Sequence, residues 1–184
     1  MAITVYTYND KVLKNVATDK WLKKAVDPLN PLGLPANTIR VKFKSDYTPS
    51  MGDTQTLVDS TNNVWDIYKE SNNWSGLFSS NKNVLEILGA NTTGITNMNM
   101  MFYKCTALIS TIPLFDTSSV TNMTSIFDSC YKVTSGALAL YQQASTQTTS
   151  PSSHNYAFYE CGKDTVTGAA ELAQIPSSWG GTGS

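Results

Sequence analysis

The chain has 184 residues, a formal net charge of −1 at pH 7 and a hydrophobic fraction of 41%. A general polyanion-binding protein is excluded, because counterion release needs clustered Lys and Arg that this sequence does not supply. No stretch approaches the ~20 apolar residues of a membrane span, and the first residues lack the pattern of a secretory signal. We therefore expect a soluble chain without a Sec signal, with no membrane span and no nucleic-acid partner.

Residues 1–70 predict a β-rich module. Strand-forming residues 3–8 precede a turn signal at Asn9–Asp10, and residues 11–16 are expected to return as the hairpin partner. Residues 19–25 predict a further strand or one helical turn. Three prolines within residues 27–35 interrupt regular structure, because proline lacks an N–H and fixes φ.

Strand character returns in residues 38–44, where Ile39, Val41 and Phe43 alternate with polar residues. Residues 54–58 and 64–68 flank a polar loop, a pattern typical of a hairpin. This module is expected to serve attachment and oligomerisation.

A short phrase then occurs three times, beginning at Asn73, Asn97 and Asn122, which stand 24 and 25 residues apart. A period of roughly 20–29 residues is the signature of leucine-rich-type solenoids, whose repeats bury their apolar faces against each other. Between the phrases, residues 84–90 and 109–115 correspond at the same offset and predict strands. Pro113 is expected at a strand end, because it cannot donate to a ladder.

Apolar residues recur within each phrase at i, i+3, i+4 and i+7, which predicts an amphipathic helix of about two turns with one buried face. Thr96 and Thr121 are the expected N-caps. The buried positions are Met98, Met101, Phe102 and Cys105, then Met123, Ile126, Phe127 and Cys130, and in the first copy Trp74, Leu77 and Phe78, with Asn81 in place of the cysteine.

The array decays towards the carboxyl end. Residues 135–144 predict a longer helix, 145–153 a loop, 157–161 a fourth, displaced copy of the phrase helix, and 168–174 a last helix. Trp179 is expected to cover the open end of the core. The predicted fold class is therefore α+β: a β-rich module (1–70), a short leucine-rich-repeat-like α/β solenoid of three repeats (71–134), and a helical or irregular cap (135–184).

Cys105, Cys130 and Cys161 each follow a phenylalanine by three residues, and none forms a Cys-x-x-Cys pair. Equivalent positions in neighbouring repeats are one repeat width apart. The pattern predicts that the three cysteines form a buried line of small apolar side chains. It predicts neither disulfides nor metal ligands.

The segment Phe115–Cys130 resembles the consensus Phe-Asp-Thr-Ser-x-Val-Thr-Asn-Met-x-x-Met-Phe-x-x-Cys of BspA-type leucine-rich repeats, with Ile126 in place of methionine. The resemblance covers residues 72–133, with a weaker echo at 157–161. It implies bacterial cell-surface adhesion. Similar repeats also resemble those of structural proteins in phages of gut bacteria, in which a small N-terminal module docks to the particle.

Because virion proteins need no export signal, the sequence predicts a non-catalytic structural protein of a phage virion, as a head fibre, decoration or tail-associated protein. Its expected partners are other virion proteins, further copies of itself, and a host-surface protein or glycan. The alternative is a bacterial cell-surface adhesin or protein-interaction module.

Residues suited to catalysis are sparse. His154 lies seven residues from Cys161, but this cysteine follows the core register, so a Cys/His dyad is disfavoured. Asp59 and Asp66 flank a hairpin loop and could face each other, although acids on turns are commonplace. We expect no enzyme activity, cofactor or metal. The Asn-x-Ser/Thr sequons at Asn73, Asn91 and Asn122 carry little weight, because Asn73 and Asn122 suit a structural hydrogen bond.

Aromatic residues outside the core register are the best candidates for recognition. Tyr103, Tyr131 and Tyr159 each follow a core position by one residue and should lean towards solvent. These three tyrosines are the predicted recognition surface.

Overall fold

The computed structural model describes residues 27–149 and 151–184, together with the backbone of four two-residue strands before residue 27. These strands are β1 (Thr7–Tyr8), β2 (Lys11–Val12), β3 (Lys14–Asn15) and β4 (Lys20–Trp21). β1 pairs antiparallel with β2, and β3 with β4. The predicted turn at residues 9–10 and most of residues 19–25 lie outside the described residues.

The larger sheet of the described chain contains β5 (Thr38–Phe43), β6 (Thr54–Asp59), β7 (Val64–Tyr68) and β8 (Val84–Asn91), in the order β6-β7-β5-β8. All neighbours are antiparallel. The strand at 38–44 was predicted from alternation and the hairpin of 54–58 with 64–68 from its polar loop, and both are confirmed. β8 lies beyond the predicted boundary at residue 70, yet it pairs with β5.

The two faces of this sheet differ in polarity, as its alternating sequence requires. Ile39, Val41 and Phe43 of β5 are buried. On the opposite face, Arg40 donates to Asp66 across the strand pair at 2.7 and 2.8 Å, and Lys42 donates to Glu86 at 2.8 Å. The apolar face packs against the segment that contains the three phrases.

The predicted fold class is wrong. No α/β solenoid is present in the described chain, in which one four-stranded antiparallel sheet and two two-stranded ones accompany two short α-helices, α1 (Ala137–Thr146) and α2 (Val166–Leu172), and a 3-10 helix at Ser177–Trp179. Residues 84–90 do form a strand, but it pairs antiparallel with β5. Residues 109–115 form no strand, although Thr111 makes an isolated bridge to Ser135.

The three phrases and their displaced copy form turns, and the predicted helices at these places are wrong. We name these segments row 1 (73–81), row 2 (97–105), row 3 (122–130) and row 4 (153–161). Each row contains two successive four-residue turns. In row 2, Met101 donates its N–H to the carbonyl of Met98 at 3.2 Å, and Cys105 donates to Phe102 at 3.0 Å.

Positive φ angles explain why these segments cannot be α-helices. The third residue of each turn in row 2 is left-handed, with φ of 52° at Met100 and 56° at Lys104. A type II turn requires this conformation, and an α-helix excludes it. The equivalent residues of the other rows share it: Gly76, Ser80, Ser125, Ser129, Tyr156 and Glu160.

Backbone hydrogen bonds join each row to the next. In row 1, Trp74 donates its N–H to the carbonyl of Asn97 at 2.8 Å. Every second residue continues this ladder as far as Ser80, which donates its N–H to the carbonyl of Tyr103 at 2.6 Å. Rows 2 and 3 donate onward in the same register, over 2.7–3.0 Å. Thr96 and Thr121, predicted as helix caps, instead donate their hydroxyls backwards along the stack, to the carbonyls of Asn72 and Thr96.

A column of aromatic rings runs through the core at right angles to the rows. Phe78, Phe102 and Phe127 stack with centroids 5.0 Å apart and planes within 7°. Phe158 continues the column at 6.4 Å, and Trp179 follows it at 6.4 Å. Trp179 is 5% exposed and its carbonyl accepts the N–H of Phe158 at 2.9 Å, so its predicted role in covering the end of the core is confirmed.

The two described helices support the carboxyl end of the core. α1 and α2 lie close to the predicted helices at 135–144 and 168–174. Gly136, at the N-cap of α1, has φ of 94° and provides no side chain to cap the helix. Glu171 of α2 takes this role, because its carboxylate accepts the N–H groups of Gly136 at 3.0 Å and Leu138 at 3.2 Å.

Candidate recognition surface

The three cysteines, whose thiols could otherwise act as nucleophiles or metal ligands, lie on the buried side of the rows. All three cysteines are free and buried, as predicted. Cys105 donates its thiol to the carbonyl of Phe78 at 3.1 Å, and Cys130 donates to that of Phe102 at 3.0 Å. Burial raises the pKa of Cys105 to about 12 and also raises the pKa values of Cys130 and Cys161. These thiols therefore stay protonated and lack the reactivity of a thiolate.

His154 occupies in row 4 the place that methionine holds in rows 2 and 3. Its ring lies parallel to Trp179, with centroids 4.2 Å apart and an interplanar angle of 3°. Nδ1 is 3.3 Å from the carbonyl of Ser178. His154 makes no hydrogen bond to Cys161, which is fully buried in the same row, so the structure does not assemble the disfavoured dyad.

The two carboxylates considered as a pair are also separate. Asp59 accepts N–H groups from Thr61 at 2.9 Å and Asn62 at 3.2 Å, within its own turn. Asn62 lowers the pKa of Asp59, through its side chain first and its backbone second. Asp66 pairs with Arg40 on the outer face of the sheet. Within the described residues, no group of three His, Cys, Asp or Glu side chains is arranged to hold a metal ion.

The asparagine that begins each phrase has a structural role, as predicted. The side chains of Asn73 and Asn122 accept the N–H two residues ahead, at Ser75 (3.0 Å) and Thr124 (2.9 Å). Asn91 donates to the carbonyl of Leu34 at 2.9 Å. Local bonds of the kind made by Asn73 and Asn122 start a turn.

Tyr103 and Tyr159 occupy the same position in rows 2 and 4, and Asp128 occupies it in row 3. The register follows from the ladder: Lys104 donates its N–H to Asp128 at 2.8 Å, and Ser129 donates to Tyr159 at 2.9 Å. Adjacent rows are spaced like neighbouring strands of a sheet, about 4.8 Å apart. The backbones at Tyr103 and Tyr159, which are two rows apart, therefore lie about 10 Å from each other on the same surface.

Tyr131 lies apart from this surface position. It follows the last residue of row 3, and the ammonium of Lys163 lies 4.5 Å from its ring centroid. Tyr103 has a similar cation neighbour, because the ammonium of Lys104 is 4.7 Å from its ring. The adjacent Tyr103 and, more weakly, the charge of Asp128 raise the pKa of Lys104.

The most exposed aromatic pair includes a residue that the sequence reasoning missed. Tyr156 is 59% exposed and Tyr159 is 45% exposed, and their rings meet edge to face at 5.7 Å. Tyr156 was missed because the predicted helix began at residue 157. An alignment that starts row 4 at Ser153 would have included Tyr156. The structure has this alignment, because Ser153 and Asn122 form an isolated parallel bridge.

Row 3 has short side chains where its two neighbours have long ones. We name this depression the row 3 trench: its floor is Ser125, Asp128 and Ser129. Both serines are nearly buried, at 5% and 6% exposed, and their hydroxyls donate to the carboxylate of Asp128 at 3.2 and 2.8 Å. The long side chains at the same three positions are Met100, Tyr103 and Lys104 in row 2, and Tyr156, Tyr159 and Glu160 in row 4.

Residues 59–163, more than half of the chain, match the family model described as "Mycoplasma protein of unknown function, DUF285". The chain belongs to the DUF285 family. The matched segment begins in β6 and ends two residues after row 4, so it includes all the rows defined above. No curated protein and no solved structure matches the chain.

No helix in the described part of this DUF285 chain is long and apolar enough to cross a membrane, as the sequence predicted. The resemblance to BspA-type repeats remains an expectation from the sequence.

Proposed function

We propose that the chain is a non-catalytic display and binding protein, in which the stacked rows hold a set of surface side chains in fixed register. The observation that supports this proposal is the backbone ladder from row 1 to row 4. It places equivalent residues of successive rows at strand-like spacing, so that a ligand would meet a preorganised surface. The buried cysteines and the aromatic column fix that surface from below.

The setting we propose is a phage virion, where the sheet end of the chain attaches to the particle and the rows face outward. β6 supports this division, because all six of its residues are at least partly exposed. In the described chain it pairs on one side, with β7. An exposed strand edge can add a strand from another chain. Other virion proteins and further copies of this chain are the proposed partners there.

Mass spectrometry of phage particles, purified from a culture that encodes the chain, tests the setting. The chain should co-purify with capsid and tail proteins through a density gradient. Its recovery in the bacterial surface fraction, and not in the particles, would contradict the virion setting and favour the alternative of a cell-surface adhesin.

Val58→Lys tests the attachment strand. Val58 is 44% exposed on β6, and a lysine at a sheet edge opposes strand addition. The variant should lose incorporation into particles, whereas Val166→Lys should be incorporated normally, because Val166 is 91% exposed on α2, away from the sheet. Equal incorporation of both variants would exclude β6 as the attachment edge.

A further inference from the structure

The side chains on either side of the row 3 trench are longer and more exposed than the serines on its floor. Ser125 and Ser129 on its floor are nearly buried, whereas Met100 of row 2 and Tyr156 and Tyr159 of row 4 are 40%, 59% and 45% exposed. The backbones of rows 2 and 4 are two ladder spacings apart, about 10 Å. One flat ring, lying between the two walls, fits a gap of this width.

The walls offer aromatic surface on both sides. Tyr103 stands on the row 2 side, and the edge-to-face pair of Tyr156 and Tyr159 on the row 4 side. Tyrosine provides a rigid apolar ring with a polar hydroxyl, at a low cost in conformational entropy. Such walls suit a ligand with apolar C–H faces and polar edges.

The polar groups of the trench suit a neutral ligand with hydroxyl groups. Asp128 accepts one hydroxyl at each carboxylate oxygen, from Ser125 and Ser129. A carboxylate can accept further bonds, because each oxygen has two lone-pair sites. The Lys104 ammonium, a donor without acceptor capacity, belongs to the residue whose backbone N–H donates to the carbonyl of Asp128 at 2.8 Å. The charge of Asp128 contributes to the raised pKa of Lys104, so an acceptor and a donor of opposite charge lie on neighbouring rows.

A vicinal diol donates one hydrogen bond and accepts another, which matches an adjacent carboxylate and ammonium. A basic side chain would be attracted by Asp128 but repelled by Lys104. An acidic side chain would be attracted by Lys104 but repelled by Asp128. Charge balance therefore favours a neutral, hydroxylated ring over a charged peptide side chain.

We propose that the row 3 trench binds a neutral pyranose unit of a surface glycan, with its C–H faces against Tyr103 and Tyr159 and its hydroxyls on Asp128 and Lys104. This inference rests on the proposed binding function and names the ligand class of that function. It also assigns Tyr103 and Tyr159 to one site with Tyr156, and leaves Tyr131 outside that site.

Saturation-transfer NMR on the full chain tests the proposal, with the methyl glycosides of glucose, galactose, mannose and N-acetylglucosamine as probes. At least one should receive saturation from the protein. Tyr159→Ala and Asp128→Asn should each weaken that binding by about tenfold, a loss typical of a central contact. Tyr131→Ala is the matched control and should bind as the parent chain does.

Ser125→Tyr fills the trench without removing any wall. Tyr156 has a φ of 57° at the equivalent position of row 4, and Ser125 has 52°, so the backbone already suits a tyrosine there. The variant should keep the circular dichroism spectrum of the parent chain and lose glycoside binding.

Two outcomes would overturn the proposal: no saturation of any of the four glycosides, or unchanged binding by the Asp128→Asn, Tyr159→Ala and Ser125→Tyr variants. Binding of a lysine-rich or glutamate-rich peptide that depends on Asp128 would replace the glycan with a protein ligand. Because particle incorporation is measured separately with the Val58→Lys variant, failure of glycan binding does not count as failure of the virion setting.

Discussion

The indole of Trp179 lies parallel to the imidazole of His154, at a centroid distance of 4.2 Å, and so places the last aromatic ring of the core over row 4. Trp179 also contacts Tyr141 edge to face at 5.3 Å and continues the ring column beyond Phe158 at 6.4 Å. One residue near the carboxyl end thus covers a core that no further row of the described chain protects.

Trp179→Ala should lower the free energy of unfolding by about 3 kcal/mol, because it removes a large buried side chain and leaves a cavity. Urea unfolding followed by far-ultraviolet circular dichroism measures the change. Trp65→Ala is the control. Because Trp65 is only half-buried in β7, this variant should lower the free energy of unfolding by less. A Trp179→Ala chain as stable as the parent would show that the ring does not cover the core in solution.

Glu171→Gln should destabilise the chain by about 1 kcal/mol, because the Glu171 carboxylate caps the amino end of α1 at Gly136 and Leu138. Glu160→Gln, which alters a surface pair with Lys163, should change stability little. Thermal melts at low and high salt distinguish the two positions. Equal effects of both substitutions would rule out the capping role.

The cysteines should resist alkylation in the native state. Cys105, Cys130 and Cys161 are all 0% exposed to solvent, and their raised pKa values keep the thiols protonated at neutral pH. We expect iodoacetamide to modify none of them at pH 8 without denaturant, and all three in urea, as counted by intact-mass spectrometry. Rapid modification of Cys161 in the native chain would contradict its burial and would revive a role for His154 beside it.

Stability should fall at alkaline pH through the same thiols. Burial raises the pKa of Cys105 to about 12, whereas the pKa of a cysteine in an unfolded chain is roughly 8.5. The folded chain retains the proton over this range, so this stabilisation is full below about pH 8.5 and is lost as pH rises towards the folded pKa. Each thiol should contribute a slope of about 1.4 kcal/mol per pH unit.

Cys105→Ala provides the comparison for this pH dependence. Unfolding in urea at about pH 7, 9 and 10 should show a shallower alkaline decline than in the parent chain, by the contribution of one thiol. Parallel declines in the two chains would show that Cys105 does not titrate differently in the folded and unfolded states.

Gly136→Ala and Gly76→Ala should lower the free energy of unfolding by different amounts, although both glycines have left-handed backbones, with φ of 94° and 66°. A Cβ at Gly136 would overlap the carbonyl oxygen of Ile112, whereas at Gly76 the nearest atom is the Cβ of Ser79 at 3.9 Å. Gly76→Ala should cost about 1 kcal/mol from backbone strain. Gly136→Ala should cost clearly more, and equal midpoints in urea would contradict the close approach.

Several features of the fold could be predicted from residue patterns because they depend on local alternation. β5 follows a period of two, the β6–β7 hairpin follows from the polar loop between its strands, and α1 follows from its apolar spacing. The burial of Met98, Met101, Phe102 and Cys105 was also predictable, since each is 0% exposed. The candidate tyrosines could be placed outside the core register for the same reason.

The row 3 trench was not predictable, because it depends on which residues become neighbours between rows. Tyr103, Asp128 and Tyr159 are 25 and 31 residues apart along the chain. The longer second interval arises from α1 and the loop after it, which displaces row 4 in the sequence but not in the ladder.

The sequence by itself determined most of the buried side chains of each phrase, because that information lies in the spacing of apolar residues; Leu77 is only half-buried, and the buried serines Ser125 and Ser129 lie outside the pattern. Only the tertiary structure decided the backbone. An α-helix and a pair of four-residue turns both bring positions i, i+3, i+4 and i+7 to one side, so the pattern cannot separate them. The turns form because alternate N–H groups, such as those of Met98 and Phe102, donate to the neighbouring row, at Asn122 and Ile126. Bonds between rows replace those that a helix would make within itself, and they exist only once the rows are stacked.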